Sequence, residues 1–253
     1  MGYNLIKADT FPEVWEKALK ICWQDGIEVR TELESEYDPP SKDITAMLVV
    51  KKPLKEPRYH RAGFPMSIED LQDYVKGFID EIKQGPVEES GDTYPQRIIN
   101  YKDDYEKAGG NIDKGINQLD YVLSELKKYG STKKAHIVIW NPKLDPGNRK
   151  DSPDLIRLWF RIENKQLNMH LYMCSNDLFK ATFANMMAFF ELQKYIAEKL
   201  ELTVGSYCHV VDSLHINGSY YEEVENTLDT LENRDWQNKT WSTREIDEFS
   251  DLT

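Results

Sequence analysis

The residues able to do chemistry are few and widely spaced. Cys174-Ser175-Asn176-Asp177 sets a thiol, a hydroxyl, an amide and a carboxylate in a row, and Asn185 stands eight residues after Asp177. Such a run is also turn and helix-capping chemistry, because short polar side chains bond nearby backbone N–H groups. The five histidines, His60, His136, His170, His209 and His215, lack metal-ligand spacing. A strand histidine such as His136 or His215 is more often a packing or hydrogen-bonding residue than a catalyst. Cys22, Cys174 and Cys208 form no CxxC pair. That argues against a disulfide framework or structural zinc and fits a reducing cytoplasm. The sequence holds no GxGxxG, GxxxxGK[ST], HExxH or GxSxG, so no common nucleotide-loop, zincin or hydrolase chemistry is indicated. On these residues alone the chain reads as an enzyme-like globular domain without an assigned reaction.

The elements that must position these residues follow from apolar spacing. Val14, Trp15, Ala18, Leu19 and Cys22 recur at helical intervals behind Pro12, a residue suited to a first turn. ITAMLVV reads as a strand ended by Pro53. Ser67 caps a helix that turns Leu71, Tyr74, Val75, Phe78, Ile79 and Ile82 inward, and another helix runs from about Gly115 to Tyr129. AHIVIW, DLIRLWFRI and QLNMHLY are strand-like, Ala181–Leu200 is the longest helix, and SYCHVV and SLHI are two short strands. This order predicts a mixed α/β (α+β) domain rather than a regular βαβ alternation.

The chain has 253 residues, with 44 acidic against 32 basic and a net charge of −12. That length is enough for one sizeable core. A strongly acidic chain is a poor nonspecific nucleic-acid coat, since phosphate neutralisation needs Lys and Arg. A small anionic ligand is still compatible, because a pocket needs only local positive charge. Ten acidic and three basic residues lie between Tyr221 and Thr253. The expectation is a single domain over 1–220 and an acidic, solvated, partly helical tail over 221–253. No signal peptide or run of about 18 apolar residues is visible, so a cytoplasmic protein without membrane contact is expected.

The run CSNDLFKATFAN, followed by a buried helix, Gly205 and the strand carrying His215, resembles the thymidylate synthase and deoxycytidylate hydroxymethylase superfamily. GINQ before the 119–140 segment and Asp92-Thr-Tyr-Pro-Gln-Arg97 extend the resemblance upstream, over roughly residues 90–220. It implies a three-layer fold with a mixed, largely buried sheet, packed back to back in a homodimer. It further implies a pyrimidine nucleotide as ligand, attacked at C6 by a thiolate so that C5 accepts a one-carbon unit from 5,10-methylenetetrahydrofolate.

By the same resemblance, Asn185 matches the asparagine that reads the base edge, Ser175 a phosphate contact, and His215 a residue near the sugar. Asp177 matches a pterin contact and Tyr94 a helper in removing the C5 proton. Arg30 is the loosely aligned candidate for an N-terminal phosphate arginine. Lys133 and Lys134 stand for the arginine pair donated across the dimer, keeping the charge but losing the bidentate fork. The departures are as informative. The family's Pro-Cys-His reads Pro153-Asp154-Leu155, and the arginine of its Arg-Ser turn is Cys174. Asn217 replaces a strand tyrosine, Glu81 is out of register for the family's catalytic glutamate, and the folate-closing C-terminus has no counterpart. The expectation is C5 one-carbon transfer with an altered nucleophile, Cys174 replacing the lost thiol and Asp154 acting as base or orienting group. The alternatives are other nucleotide chemistry with Asp154 as base, or a non-catalytic binder in which Cys174 is inert.

Overall fold

The computed structural model describes residues 3–31, 34–61, 67–86, 93–102, 115–146 and 152–250. Asp92 lies outside them. The chain opens with strand β1 (Tyr3–Ala8), helix α1 (Phe11–Asp25), and strands β2 (Ile27–Val29), β3 (Ser41–Val50) and β4 (Tyr59–His60). Helices α2 (Ile68–Gln84), α3 (Tyr94–Ile99) and α4 (Gln118–Tyr129) follow, then β5 (His136–Val138), β6 (Leu155–Glu163) and β7 (Gln166–Asp177). Helix α5 (Thr182–Lys199) and β8 (Thr203–Ile216) complete the core, and α6 (Tyr221–Asn233), α7 (Trp236–Lys239), β9 (Thr240–Trp241) and α8 (Thr243–Ser250) close the chain.

Among the described residues one mixed sheet runs β1-β3-β8-β7-β6-β5, with β2 also paired to β3. β7 and β8 are parallel, whereas β6 lies antiparallel to β7. The helix-facing side of β7 is Leu167, Met169, Leu171 and Met173, all buried. They alternate with more exposed neighbours, as one buried sheet face requires. Helix α5 covers this side and is apolar nearly all round, with Phe183, Met186, Met187, Phe189 and Phe190 all buried. Such a helix must be enclosed by a further layer, and α2 supplies part of it: Phe78 meets Phe189 edge to face at 5.6 Å. Sheet, α5 and outer helices therefore form the three layers.

The other sheet face carries one continuous row in register: Leu5, Met47, Val210, Tyr172, Arg157 and Val138. Leu5, Met47 and Val138 in this row are exposed.

Both α1 and α2 start in full capping boxes, Thr10 with Glu13 and Ser67 with Asp70. SYCHVV and SLHI, expected as two strands, are one 14-residue strand. QLNMHLY likewise extends through Cys174-Ser175-Asn176-Asp177 to the end of β7 rather than turning there. β5 is shorter than AHIVIW suggested. The segment after Tyr220 is helical, but Val224, Leu231 and Ile246 are buried and β9 pairs with β4. Lys239 Nζ donates to Leu231 O at 2.6 Å and lies 3.4 Å from Glu16 Oε1 on α1. The acidic tail is therefore docked on the body, not wholly solvated.

Candidate active site

The site is built where β6 begins and β7 ends. The two strands are antiparallel, pairing Leu155 with Met173, and Cys174 N donates to Asp154 O at 2.9 Å. This pairing sets the two side chains side by side, with Cys174 Sγ 3.7 Å from Asp154 Oδ1. A thiol beside a carboxylate puts a potential nucleophile within reach of a proton acceptor. Burial pushes the Asp154 carboxyl above its ordinary range, partly offset by the Cys174 hydrogen bond and by His215. Burial first, and then the Asp154 carboxylate, push the Cys174 thiol up to about 11. At rest the thiol is protonated, and the carboxylate beside it is a stronger base than a free aspartate.

Tyr94 begins α3, held by the Thr93 cap, whose hydroxyl also donates to Glu81 Oε1 at 2.7 Å. The Tyr94 hydroxyl accepts from Leu155 N at 3.3 Å, next to Asp154. Burial pushes this phenol up to about 12, so it is a neutral donor at pH 7. His215, near the end of β8, pairs in register with Asp177 on one side and Asp43 on the other. Its Nδ1 lies 3.3 Å from Ser213 O. Asp43, pushed up by burial, accepts a short hydrogen bond from Ser213 Oγ, which together with the neighbouring His215 partly offsets that rise. His215 thus stands beside the buried Asp43, and it also influences the partly buried Asp154.

Asn185 lies one turn into α5 and is fixed from two directions. Tyr74 of α2 donates its hydroxyl to Asn185 Oδ1 at 2.8 Å, and Asn185 Nδ2 donates to Asn176 Oδ1 at 3.1 Å. Asn176 is two residues along β7 from Cys174, so this amide chain ties the end of β7 to α2. Asp177 Oδ1 accepts from Phe179 N and Lys180 N, and its Oδ2 accepts from Asn217 Nδ2 at 2.8 Å. The run therefore does double duty: strand pairing through its backbone and capping of the β7–α5 turn through Asp177. Ser175 pairs with Ser213 across the strands, between the reactive pair and His215. A cleft of about 540 Å³ lies between α2 and the start of α3, walled by Tyr74, Phe78, Tyr94, Pro95 and Pro153 and edged by Asp73 and Glu81. It reaches the site through Tyr74 and Tyr94, while Asp154, Cys174 and Asn185 are not part of its lining. Its walls suit a flat aromatic ligand.

This arrangement spans the region over which the sequence profile of the family described as thymidylate synthase matches, residues 66–252. The chain belongs to the thymidylate synthase family. Archaeal proteins named "Putative thymidylate synthase" are similar over most of their length. That of Methanocaldococcus jannaschii is 29% identical over 216 residues, covering 83% of this chain and 86% of its own. That of Methanosarcina mazei is 26% identical over 227 residues, covering 89% and 94%. The deoxyuridylate hydroxymethyltransferase of Bacillus phage SP01 is 38% identical over 112 residues, covering 43% of this chain and 29% of the phage protein.

Within this thymidylate synthase fold, the expected site residues divide into two groups. Asp154, Cys174, Tyr94, Ser175, Asp177, Asn185 and His215 converge around the ends of β6, β7 and β8. Arg30, Lys133 and Lys134 are not brought to them in one protomer. The Arg30 guanidinium is occupied by Ser35 O at 2.8 Å and Asp38 O at 2.6 Å, bracing its own loop. Lys133 and Lys134 are exposed just before β5, where Phe160 N donates to Ala135 O. At about 3.3 Å per residue that is roughly 20 Å along β6 from Asp154. Arg97, beside Tyr94 in sequence, is buried in a bidentate pair with Asp145 and is part of the scaffold.

Three participants escaped the reading of the sequence. Tyr74 was expected to face the core with Phe78, but it is 39% exposed and its hydroxyl reaches Asn185. The available signal was its polar tip on an otherwise apolar stripe. Asn176 stood in the polar run, but its partner on α5 was not visible there, and Asp43 left no linear signal, since its partner comes from β8.

Proposed function

We propose that this thymidylate synthase family member transfers a one-carbon unit to C5 of a pyrimidine nucleotide, with Cys174 as the nucleophile and Asp154 as its base. The observation that carries the proposal is the thiol–carboxylate pair at 3.7 Å, two residues along β7 from Asn176, which holds an asparagine suited to a base edge. In the first step Cys174 Sγ bonds to C6 and the thiol proton passes to the Asp154 carboxylate. The C5–C6 π pair moves onto C5 and O4, where hydrogen-bond donors in a dry site stabilise it. Asn185 offers such a donor together with an acceptor for N3–H, the complement of a uracil edge. Tyr94, held neutral at the cleft wall, is positioned to assist removal of the C5 proton. Ser175 and His215 line the strand ends where sugar and phosphate would lie.

A bound 5,10-methylenetetrahydrofolate would supply the one-carbon unit, and the aromatic walls of the cleft fit its flat rings. Asp177 is already committed to two backbone N–H groups and Asn217, so its pterin contact would add to a structural role. In the homodimer that the family resemblance implies, Lys133 and Lys134, exposed and remote from their own site, would serve the partner's phosphate site. The exposed row through Leu5 and Met47 is the surface for it. Free cysteines fit action in a reducing cytoplasm.

The surroundings of the thiol favour a second reading. Burial and the neighbouring carboxylate hold Cys174 in its protonated form, a weak nucleophile, so a pocket that binds without turning over, or one that uses only Asp154 as base, is the competing account. Incubation with UMP, dUMP, CMP and dCMP, with and without methylenetetrahydrofolate, separates them. A product heavier by a methyl or hydroxymethyl group supports transfer, whereas binding without a mass change supports the second reading.

A further inference from the structure

Asn185 has a symmetrical defect as a reader of bases. An amide turned by half a rotation exchanges its donor and acceptor, and so exchanges a uracil edge for a cytosine edge. Something must set which way it points. In this chain two groups from different elements bond to it. The Tyr74 hydroxyl donates to Asn185 Oδ1 at 2.8 Å, and Asn176 Oδ1 accepts from Asn185 Nδ2 at 3.1 Å. Each bond uses one valence of its atom, leaving one N–H and one carbonyl lone pair of Asn185 for a ligand. Asn176 is 3% exposed, and its remaining Nδ2 finds no protein partner. The relay therefore ends inside the protein and is anchored at its outer end by Tyr74 alone. Tyr74 is also a wall of the cleft, so the group that orients the amide stands where a ligand would enter.

We infer that Tyr74 is a specificity-determining positioning residue: by holding the carbonyl of Asn185 in place it makes the pocket select a uracil-type over a cytosine-type base. This rests on the nucleotide-binding reading above and names the residue behind its selectivity. A residue with only a packing role would change both affinities together. An orienting residue changes their ratio.

The test is calorimetric titration of dUMP and dCMP into the wild-type protein and Tyr74→Phe, with the melting midpoint of each recorded. Phe keeps the ring and removes only the hydroxyl. Expected is a wild-type preference for dUMP that falls about five- to tenfold in Tyr74→Phe, the effect of one net hydrogen bond, with a midpoint lowered by about 4 °C at most. An unchanged dUMP-to-dCMP ratio in Tyr74→Phe overturns the inference, as does a wild-type preference for dCMP, and both leave nucleotide binding intact. A wild-type protein that binds neither nucleotide overturns the proposed function itself and the inference with it.

Discussion

Two regions of the site lie two residues apart on β7 and have opposite characters. The recognition side, Tyr74–Asn185–Asn176, is built from neutral amides and a phenol whose hydrogen bonds hold one another in place. The reactive side, Asp154–Cys174, is a proton-holding pair in which burial pushes both groups towards their neutral forms. Preorganised neutral dipoles cost nothing to align when a ligand arrives, whereas a protonated thiol must first lose its proton. On the proposed reading, Asn185 keeps the base-reading asparagine of the family pattern, while Asp154 and Cys174 stand where that pattern has a cysteine and an arginine.

The largest expected effect breaks the reactive side alone. Asp154→Asn removes the base but leaves the volume, and turnover should fall by about 10²–10⁴ with dUMP affinity within about threefold. Steady-state rates and calorimetry on the same preparation check this. The mirror experiment is Asn185→Ala, which should weaken dUMP binding by about 10–100-fold, the loss of two hydrogen bonds with a buried partner left bare. A variant in which both affinity and rate fell equally for either substitution would merge the two sides into one.

A smaller effect sharpens the comparison through pH. With the Cys174 thiol at about 11, attack by free thiolate should climb about tenfold per pH unit from 7 to 9. Transfer of the proton to Asp154 within the complex predicts a flatter profile, measured by initial rates across that range. The smallest effect is on stability. The folded Cys174 thiol is raised above its ordinary value of 9, so its contribution is fully present below pH 9 and is lost as pH rises towards 11. Cys174→Ser should therefore flatten the fall in melting midpoint between pH 9 and 11.

The helices were legible because their apolar spacing and caps are local: Phe11 to Cys22, and Ser67 with the stripe behind it, are encoded within single turns. β8 was not legible as one strand because Asp212-Ser213 reads as a break. In the fold Asp212 accepts the Tyr172 hydroxyl and Ser213 donates to Asp43, so partners on β7 and β3 hold the polar residues inside the strand. Cys174-Ser175-Asn176-Asp177 was readable as a site only through resemblance. Its role as the end of β7 depends on pairing with β8, which no local pattern carries. Tyr74 was misplaced for a related reason: helical spacing marks a face but not which side chain at its edge turns its hydroxyl to a neighbour.

The central claim, that Cys174 adds to C6 with Asp154 as its base, is tested most directly by exchange of the C5 hydrogen of dUMP for deuterium in D₂O without folate. Addition to C6 is what labilises that hydrogen. The account predicts exchange by the wild-type protein and none above background by Cys174→Ser or Asp154→Asn. Exchange that persists undiminished in Cys174→Ser would contradict it.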